Sequence, residues 1–533
     1  MSSDTTASQP VRAAGPADVP ATPDGEPVPG AGIDPSWRRL SRRMLLVHPV
    51  QEIPRSLPAL FGIFVAGSTS GNHWWGLTGL VLVLLAGMLR WFTTTYRITP
   101  RHVQVRRGLL RRRELSVPRD RVRTVDVTAH AVHRLVGLTR VTVGTGRSDR
   151  KDDGVKLDGL TVPEAARLRE ELLHYRAQPA PTTDPDEPAE PGPDAPETEL
   201  ARLRPGWIRF GPFTLSGFVT VGVLTAFVSR AVNEAHIDLT RYGPLRALVD
   251  QLVRMPLGLA VVQVVAVFVV VIALLSTAGY VLAFWGFRLT RHDAGTLHVT
   301  RGLVTTRATS IDEQRLRGVE LSEPLLLRVV SGARCIAIAT GLRVGRGAER
   351  GGSLLLPPAP RAEAERVAAT VLGDPAPVAV PLTRHLPQAH RRRYSRALTV
   401  AALLVAAAVT GWWLADWPAW TWQVTAVVLP VAAALLAQDR ARSLGHAAVG
   451  RWLVSRQGSL VRRRYVLATD GIIGWNLRRS FFQRRVGLAT LTATTAAGRQ
   501  RYAVPDVDVD TALRLADGAT PALLTPFLAG PTD

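Results

Sequence analysis

The chain has 533 residues, 46% of them hydrophobic, and a formal net charge of +22. That length allows several domains, and the single cysteine, Cys335, excludes an intramolecular disulfide or a cysteine-based metal cluster. Lysine occurs only at Lys151 and Lys156, so the positive excess is almost wholly arginine; it suits a surface beside anionic lipid, and charge alone also allows nucleic acid.

Residues 1–36 are rich in Pro, Ala, Gly, Ser and Asp and contain no apolar core. They are expected to be a disordered tail rather than a secretion signal. Membrane spans come next, since a hydrocarbon core about 30 Å thick needs roughly 20 apolar residues as helix. The runs that qualify are 57–70, which is short, 74–92, 213–232, 257–285, 397–415 and 417–437. They pair into three hairpins, at 54–92, 213–286 and 397–437, which predicts six transmembrane helices.

Arginine placement orients them. Arg38, Arg39, Arg42, Arg43 and Arg55 precede the first span, Arg90 and Arg97 follow the second, Arg204 and Arg209 precede the third, and Arg288 follows the fourth. Arg391, Arg392, Arg393 and Arg396 precede the fifth, Arg440 and Arg442 follow the sixth, and the first and third tips carry none. The expectation is a multi-pass plasma-membrane protein with both termini and the large inter-hairpin segments cytoplasmic. In the second tip Leu245, Leu248, Leu252 and Val253 fall at helical spacing, which predicts a short helix on the outer surface. Trp74, Trp75, Trp91, Trp207, Trp285, Trp412, Trp413, Trp417 and Trp420 stand near span ends, as aromatic belts do. No charge lies deep in a predicted span, which argues against a pump or proton-coupled transporter.

Each hairpin is followed by a similar stretch. The first holds Tyr96-Arg-Ile-Thr99 and Val103-Gln-Val-Arg-Arg-Gly-Leu-Leu110; the second holds Phe287-Arg-Leu-Thr290 and Leu297-His-Val-Thr-Arg-Gly-Leu-Val304. The third holds Trp452-Leu-Val-Ser-Arg-Gln-Gly-Ser-Leu-Val461. Gly108, Gly302 and Gly458 open turns between alternating runs, and Gly137, Gly332 and Gly487 follow 29 to 30 residues later. Such alternation with glycine turns reads as antiparallel strands. A helix signal then closes each unit, at 163–175, 361–372 and about 506–515, with proline or aspartate at its start. The units are assigned to 93–176, 287–373 and 438–518, separated by a flexible Pro/Asp/Glu-rich linker at 177–200 and a shorter proline-rich one at 374–390.

This order resembles the bacterial PH-like domain family of the YdbS/YdbT type. The matching elements are Tyr96 to Thr99, Arg107 to Leu109, Pro118 to Val122 and Gly137 to Val141. The second unit matches at Phe287 to Thr290, Arg301 to Leu303, Gln314 to Val319 and Gly332 to Ile336, and departs at Asp312, where the first has proline. The third lacks the Pro-x-x-Arg element and departs further. The resemblance covers the chain apart from the tail and linkers, and its threefold order is more specific than any single motif. It implies an α+β membrane protein in which each hairpin precedes a small, partly open PH-like β-barrel capped by a C-terminal helix. It also implies an envelope-stress or antimicrobial-peptide-resistance role as an alternative function.

Eleven arginines lie between residues 90 and 123, against Glu114 and Asp120. The plainer reading is topology plus a solvated strand face. The functional reading is an anionic-lipid or acidic-protein site at Arg97, Arg106, Arg107, Arg111, Arg112, Arg113, Arg121 and Arg123, where each charge near a leaflet contributes about 1 kcal/mol. Nucleic acid is disfavoured because no recognition module accompanies the charge. Arg462, Arg463, Arg464, Arg478, Arg479, Arg484 and Arg485 form a comparable cluster, whereas Arg391 to Arg393 need only the topology explanation. His130 and His133 read as a surface pair rather than a metal site. Asp149, Asp152, Asp153 and Asp158 read as a solvated hairpin tip, and Gly341 to Gly347 as a turn. Cys335 reads as a buried strand residue. No catalytic motif, cofactor or metal site is found. The expectation is a non-enzymatic scaffold docking anionic lipid or protein, with transport or export as the alternative and the oligomeric state open.

Overall fold

The computed structural model describes residues 37–41, 43–44, 85, 94–99, 102–107, 113–119, 122, 124–144, 155–174, 197–214, 216–234, 243–292, 295–342 and 352–521. Almost all of the first predicted hairpin, the N-terminal tail and most of the 177–200 linker lie outside these residues.

Strands β1 (Arg38–Arg39), β2 (Thr95–Ile98), β3 (His102–Arg107) and β4 (Arg113–Pro118) form one antiparallel sheet. In β3, Val103 and Val105 are buried while Gln104 and Arg106 are not, as period-two alternation requires. Strands β5 (Thr124–Ala129), β6 (Leu138–Gly144) and β7 (Val155–Thr161) follow, then the helix Val162–His174. Val125, Leu138, Val141, Val143, Val155 and Leu157 pack with Val103, Val105 and Val117 into one core, closed by Leu168 and Leu172 of that helix.

The second β-rich segment repeats this order. Strand β8 (Thr198–Arg202) precedes the helices Ser216–Glu234, Gly243–Arg254 and Leu257–Phe284, and β9 (Arg288–His292), β10 (Thr296–Arg301) and β11 (Thr306–Asp312) follow them. Then come β12 (Leu316–Pro324), β13 (Gly332–Ala339), β14 (Leu354–Pro360) and the helix Arg361–Leu372. Strand β13 is nearly all buried because both its faces are covered. Ala364, Val367 and Ala368 of the closing helix belong to the core around Ala333, Cys335 and Ala337, while Ile336 packs on Tyr280 and Phe284. Cys335 is fully buried, and burial pushes its thiol up to about 12.

The third segment has β15 (Gly445–Val449), β16 (Trp452–Gln457), β17 (Val461–Ala468), β18 (Ile472–Arg478), β19 (Leu488–Thr495), β20 (Arg501–Asp508) and the helix Val509–Ala519. The turn glycines behave as their repeated position predicts. Gly302 and Gly458 adopt φ of 109° and 108°, and an added Cβ would meet a backbone carbonyl oxygen at 2.0 and 2.1 Å. Gly108 lies outside the described residues.

The segments are not separate barrels side by side. The second half of each is continuous with the first half of the next, giving the seven-stranded sheet β7-β6-β5-β11-β10-β9-β8 and the six-stranded sheet β14-β13-β12-β17-β16-β15. The joints are the antiparallel pairs β5–β11 and β12–β17. Strands β18, β19 and β20 form the last sheet.

Among the described residues, three helices are long and apolar enough to cross a membrane: Leu257–Phe284, Pro387–Leu414 and Ala419–Ser443. The fifth predicted span begins ten residues earlier than its apolar run, because the helix starts at Pro387 and takes in the arginines. A 19-residue helix, Ser216–Glu234, occupies the third predicted span without joining those three. The predicted tip helix is present as Gly243–Arg254. Within 374–390, a short helix at Ala376–Ala379 and a bridge between Thr383 and His446 hold the chain against the third segment.

Candidate functional site

The first-segment arginines are only partly brought together. Arg97 stands opposite Gln104 and donates to its Oε1 at 3.1 Å. Arg106 stands opposite Glu114 and pairs with it at 3.2 Å. Both guanidiniums lie over the Trp37 ring, at 5.2 and 4.4 Å from its centroid. Arg107 and Arg113 are directly opposed at the end of the β3–β4 ladder. Arg111, Arg112, Arg121 and Arg123 lie outside the described residues. The two arginines with described side chains are thus engaged with neighbours on a strand face.

The basic cluster of the third segment divides in two. Arg462 pairs with Asp439 at 3.1 Å, Arg463 with Glu320 at 3.1 Å, and Arg464 donates to the carbonyls of Pro377 and Val380 at 3.0 Å each. These three hold segments together. Of the other four, Arg484 and Arg485 lie in a short helix, Phe481–Arg485, and Arg478 and Arg479 precede it; the helix is started by a Ser480/Gln483 capping box. Gln483 is buried and donates to Thr490 and Asp506, each at 2.8 Å. With Gln483 turned inward, Phe481 and Phe482 face outward, 54% and 69% exposed, beside exposed Arg478, Arg479, Arg484 and Arg485. The sequence reading took note of these arginines and passed over the aromatic pair between them. Two adjacent phenylalanines inside an arginine run were the available signal.

Each segment has a short helix at this point, and each exposes an apolar residue. Ala131–Val136 exposes Leu135, and Leu325–Val329 exposes Val329. Each of these two helices abuts the β3–β4-type turn of the next segment. The Arg134 guanidinium donates to the Leu303 carbonyl, and the Leu325 amide donates to the Leu460 carbonyl at 2.7 Å. Those turns touch the ends of apolar helices. Gly302 N–H donates to Trp285 O at 2.8 Å, Leu303 N–H donates to Leu282 O at 3.0 Å, and the Ser443 hydroxyl donates to Gly458 O. Leu303, Val304 and Leu460 remain exposed there.

A buried polar network ties the third segment to the helix Pro387–Leu414. Asp506, 1% exposed and at φ 59°, is paired by Arg392 and, at 2.6 Å, by Arg393. This corrects the topology-only reading of those arginines: they neutralise a buried carboxylate. His385 meets the Asp506 carbonyl and His446 at 3.1 Å each. Burial holds the His385 ring down to about 4 and also lowers His446. His130 and His133 are not a surface pair, since His133 is fully buried in the short helix. Asp158 in β7 pairs with Arg140 in β6, and the other loop aspartates lie outside the described residues.

Comparison with known proteins agrees with the repeated architecture. A family model described as Bacterial PH domain matches residues 52–176 and 393–520. The second match falls on the segment whose motifs depart furthest. The UPF0699 transmembrane protein YdbT of Bacillus subtilis (strain 168) is 21% identical over 321 residues, 58% of this chain. The match spans 63% of that relative's own length. No solved structure matches the chain. Two bacterial PH-domain matches, the similarity to the YdbT transmembrane protein and helices apolar enough to span a bilayer together support a membrane protein with bacterial PH domains, similar to YdbT.

Proposed function

We propose that the chain is a non-enzymatic membrane scaffold whose three PH-type units, the middle one at 287–373 included, dock against the anionic cytoplasmic leaflet. Six helices in three hairpins anchor it in the plasma membrane, with both termini cytoplasmic. The docking surface is the corner made by each short helix and the neighbouring turn, and Phe481, Phe482, Leu303, Val304 and Leu460 are its apolar contacts. The observation that carries this reading is the pair of hydrogen bonds from Gly302 and Leu303 to Trp285 and Leu282, which fixes exposed apolar side chains at the end of an apolar helix. Exposed aromatic residues beside arginine suit a water–lipid boundary, and Arg478, Arg479, Arg484 and Arg485 supply charge for anionic headgroups. A protein partner would meet the remaining faces of the units.

The test is lipid retention by the full chain, purified in mild detergent and presented with anionic and zwitterionic lipids in native mass spectrometry. Anionic lipids should be retained preferentially, and R478Q/R479Q/R484Q/R485Q should lose that preference. Equal retention of both classes by the unmodified chain would overturn the lipid assignment.

A further inference from the structure

The chain builds the same joint twice, and the parts for a third stand open at its two ends. Counting strands from β2, β9 and β15, in each joint the fourth strand of one segment pairs with the third strand of the next, and the register repeats. Val125, which pairs with Val143 inside its segment, stands opposite Ser310 across the first joint. Val319, which pairs with Ala337, stands opposite Val466 across the second. Trp475, paired with Ala493, holds the equivalent position in β18. Ser116, paired with Gln104, is equivalent to Ser310, paired with His298, and to Val466, paired with Val454. Among the described residues, β18 pairs only with β19 and β4 only with β3.

We propose that β18 of one chain pairs antiparallel with β4 of a second copy, continuing the array head to tail. The repeated register sets Trp475 opposite Ser116, Asn476 opposite Leu115 and Leu477 opposite Glu114. Leu115 and Leu477, 41% and 40% exposed, would then be covered. An open strand edge is a template for another strand, and β4 carries proline only at its last residue, Pro118.

The side chain at the acidic position of each joint fits the same partner. Arg113, Arg307 and Arg463 occupy one equivalent position, and the joints inside the chain bring Asp126 near Arg307 and Glu320 to Arg463. At the free end the acid is replaced by Asn476, which is exposed. A buried carboxylate without its arginine would be costly, whereas an amide stands in water until the edge is filled. This is the residue expected where a joint forms between chains rather than within one. Chains in one bilayer share an orientation, as a head-to-tail joint requires, and such an interface closes into a ring or runs on as a chain.

The test is cysteine cross-linking of the full chain in its membrane. Two differently tagged copies, both C335A, are co-expressed, one with L115C and the other with N476C. Both new cysteines replace exposed residues. Directly opposed strand residues bring Cα atoms about 5 Å apart, within disulfide reach. The expected product is a disulfide dimer bearing both tags. Replacing N476C with I473C, three residues out of register and so about 10 Å away, should cut the yield about tenfold. No doubly tagged product, or equal yields from the two positions, would overturn the proposal. So would a single chain carrying L115C/N476C that forms only an intrachain disulfide.

Discussion

Glu320 on β12 and Arg463 on β17 form a 3.1 Å ion pair across the joint between the second and third segments. The carboxylate is 2% exposed and is also reached by Arg499 at 3.3 Å, while both arginines are about one-third exposed. Removing the arginines therefore costs more than their surface position implies, because it strands a buried charge. R463A/R499A should destabilise the chain by about 3 kcal/mol, the lower end for a broken buried pair. It should do so by more than the sum of the single changes, since either arginine alone still compensates Glu320. Denaturant unfolding of the detergent-solubilised chain measures both quantities.

The same joint is closed by backbone. Gly318 sits at φ 149°, where an added Cβ would meet the Val466 carbonyl oxygen at 2.0 Å. G318A should therefore open the β12–β17 pairing and raise amide exchange in both strands, while β2 to β4 keep their protection. Hydrogen exchange by mass spectrometry reads this directly.

Asp506 gives a cleaner separation of charge from backbone strain. Its φ of 59° is one that asparagine also tolerates. D506N therefore leaves the turn intact and removes the charge from between Arg392 and Arg393, which are 13% and 18% exposed. A loss of about 3 kcal/mol is expected from two poorly solvated arginines without their counter-ion. D506A should lose more, because strain at the left-handed position is added.

The histidine pair predicts an acid-labile contact at the same place. His385 titrates near 4 when folded, held down mainly by burial and by His446, with Arg393 also disfavouring the charged ring and Asp506 opposing them. In the unfolded chain it returns to about 6.5. The neutral ring's contribution is thus complete above about 6.5 and is lost as pH falls toward 4, because the unfolded chain takes up the proton first. Between pH 7 and 4.5 the melting temperature of the unmodified chain should fall further than that of H385Q.

The membrane-docking corner and the arginine face read from sequence make opposite predictions. Arg97 and Arg106 are committed to Gln104, Glu114 and Trp37, so R97A/R106A should change anionic-lipid retention little. F481S/F482S should reduce it strongly, with little change in folding, since both side chains are more than half exposed.

Much of this architecture is legible in sequence because it repeats. The closing helix at Arg361–Leu372 lies where the preceding proline puts it, and Gly302 and Gly458 mark turns that no other residue fits. The joints are not legible, because pairing across segments leaves no local signature: Val125 and Val319 alternate as any strand residue would. Arg392 and Arg393 show the same limit. Next to an apolar run they look like topology signals, and only the fold brings Asp506, more than 110 residues later, between them. The engagement of Arg97 and Arg106 is hidden from the sequence for a related reason. Arginine density is visible along a chain, but whether a guanidinium is already engaged depends on cross-strand neighbours such as Glu114.

In the proposed arrangement these units rest on the leaflet through their short helices. A nitroxide at residue 482 of the full chain, in nanodiscs containing anionic lipid, measures this most directly through its relative accessibility to oxygen and to a water-soluble nickel chelate. An oxygen-rich, chelate-poor environment is expected at 482 and the reverse at exposed residue 510 on the closing helix. Equal chelate access at both positions would contradict the arrangement.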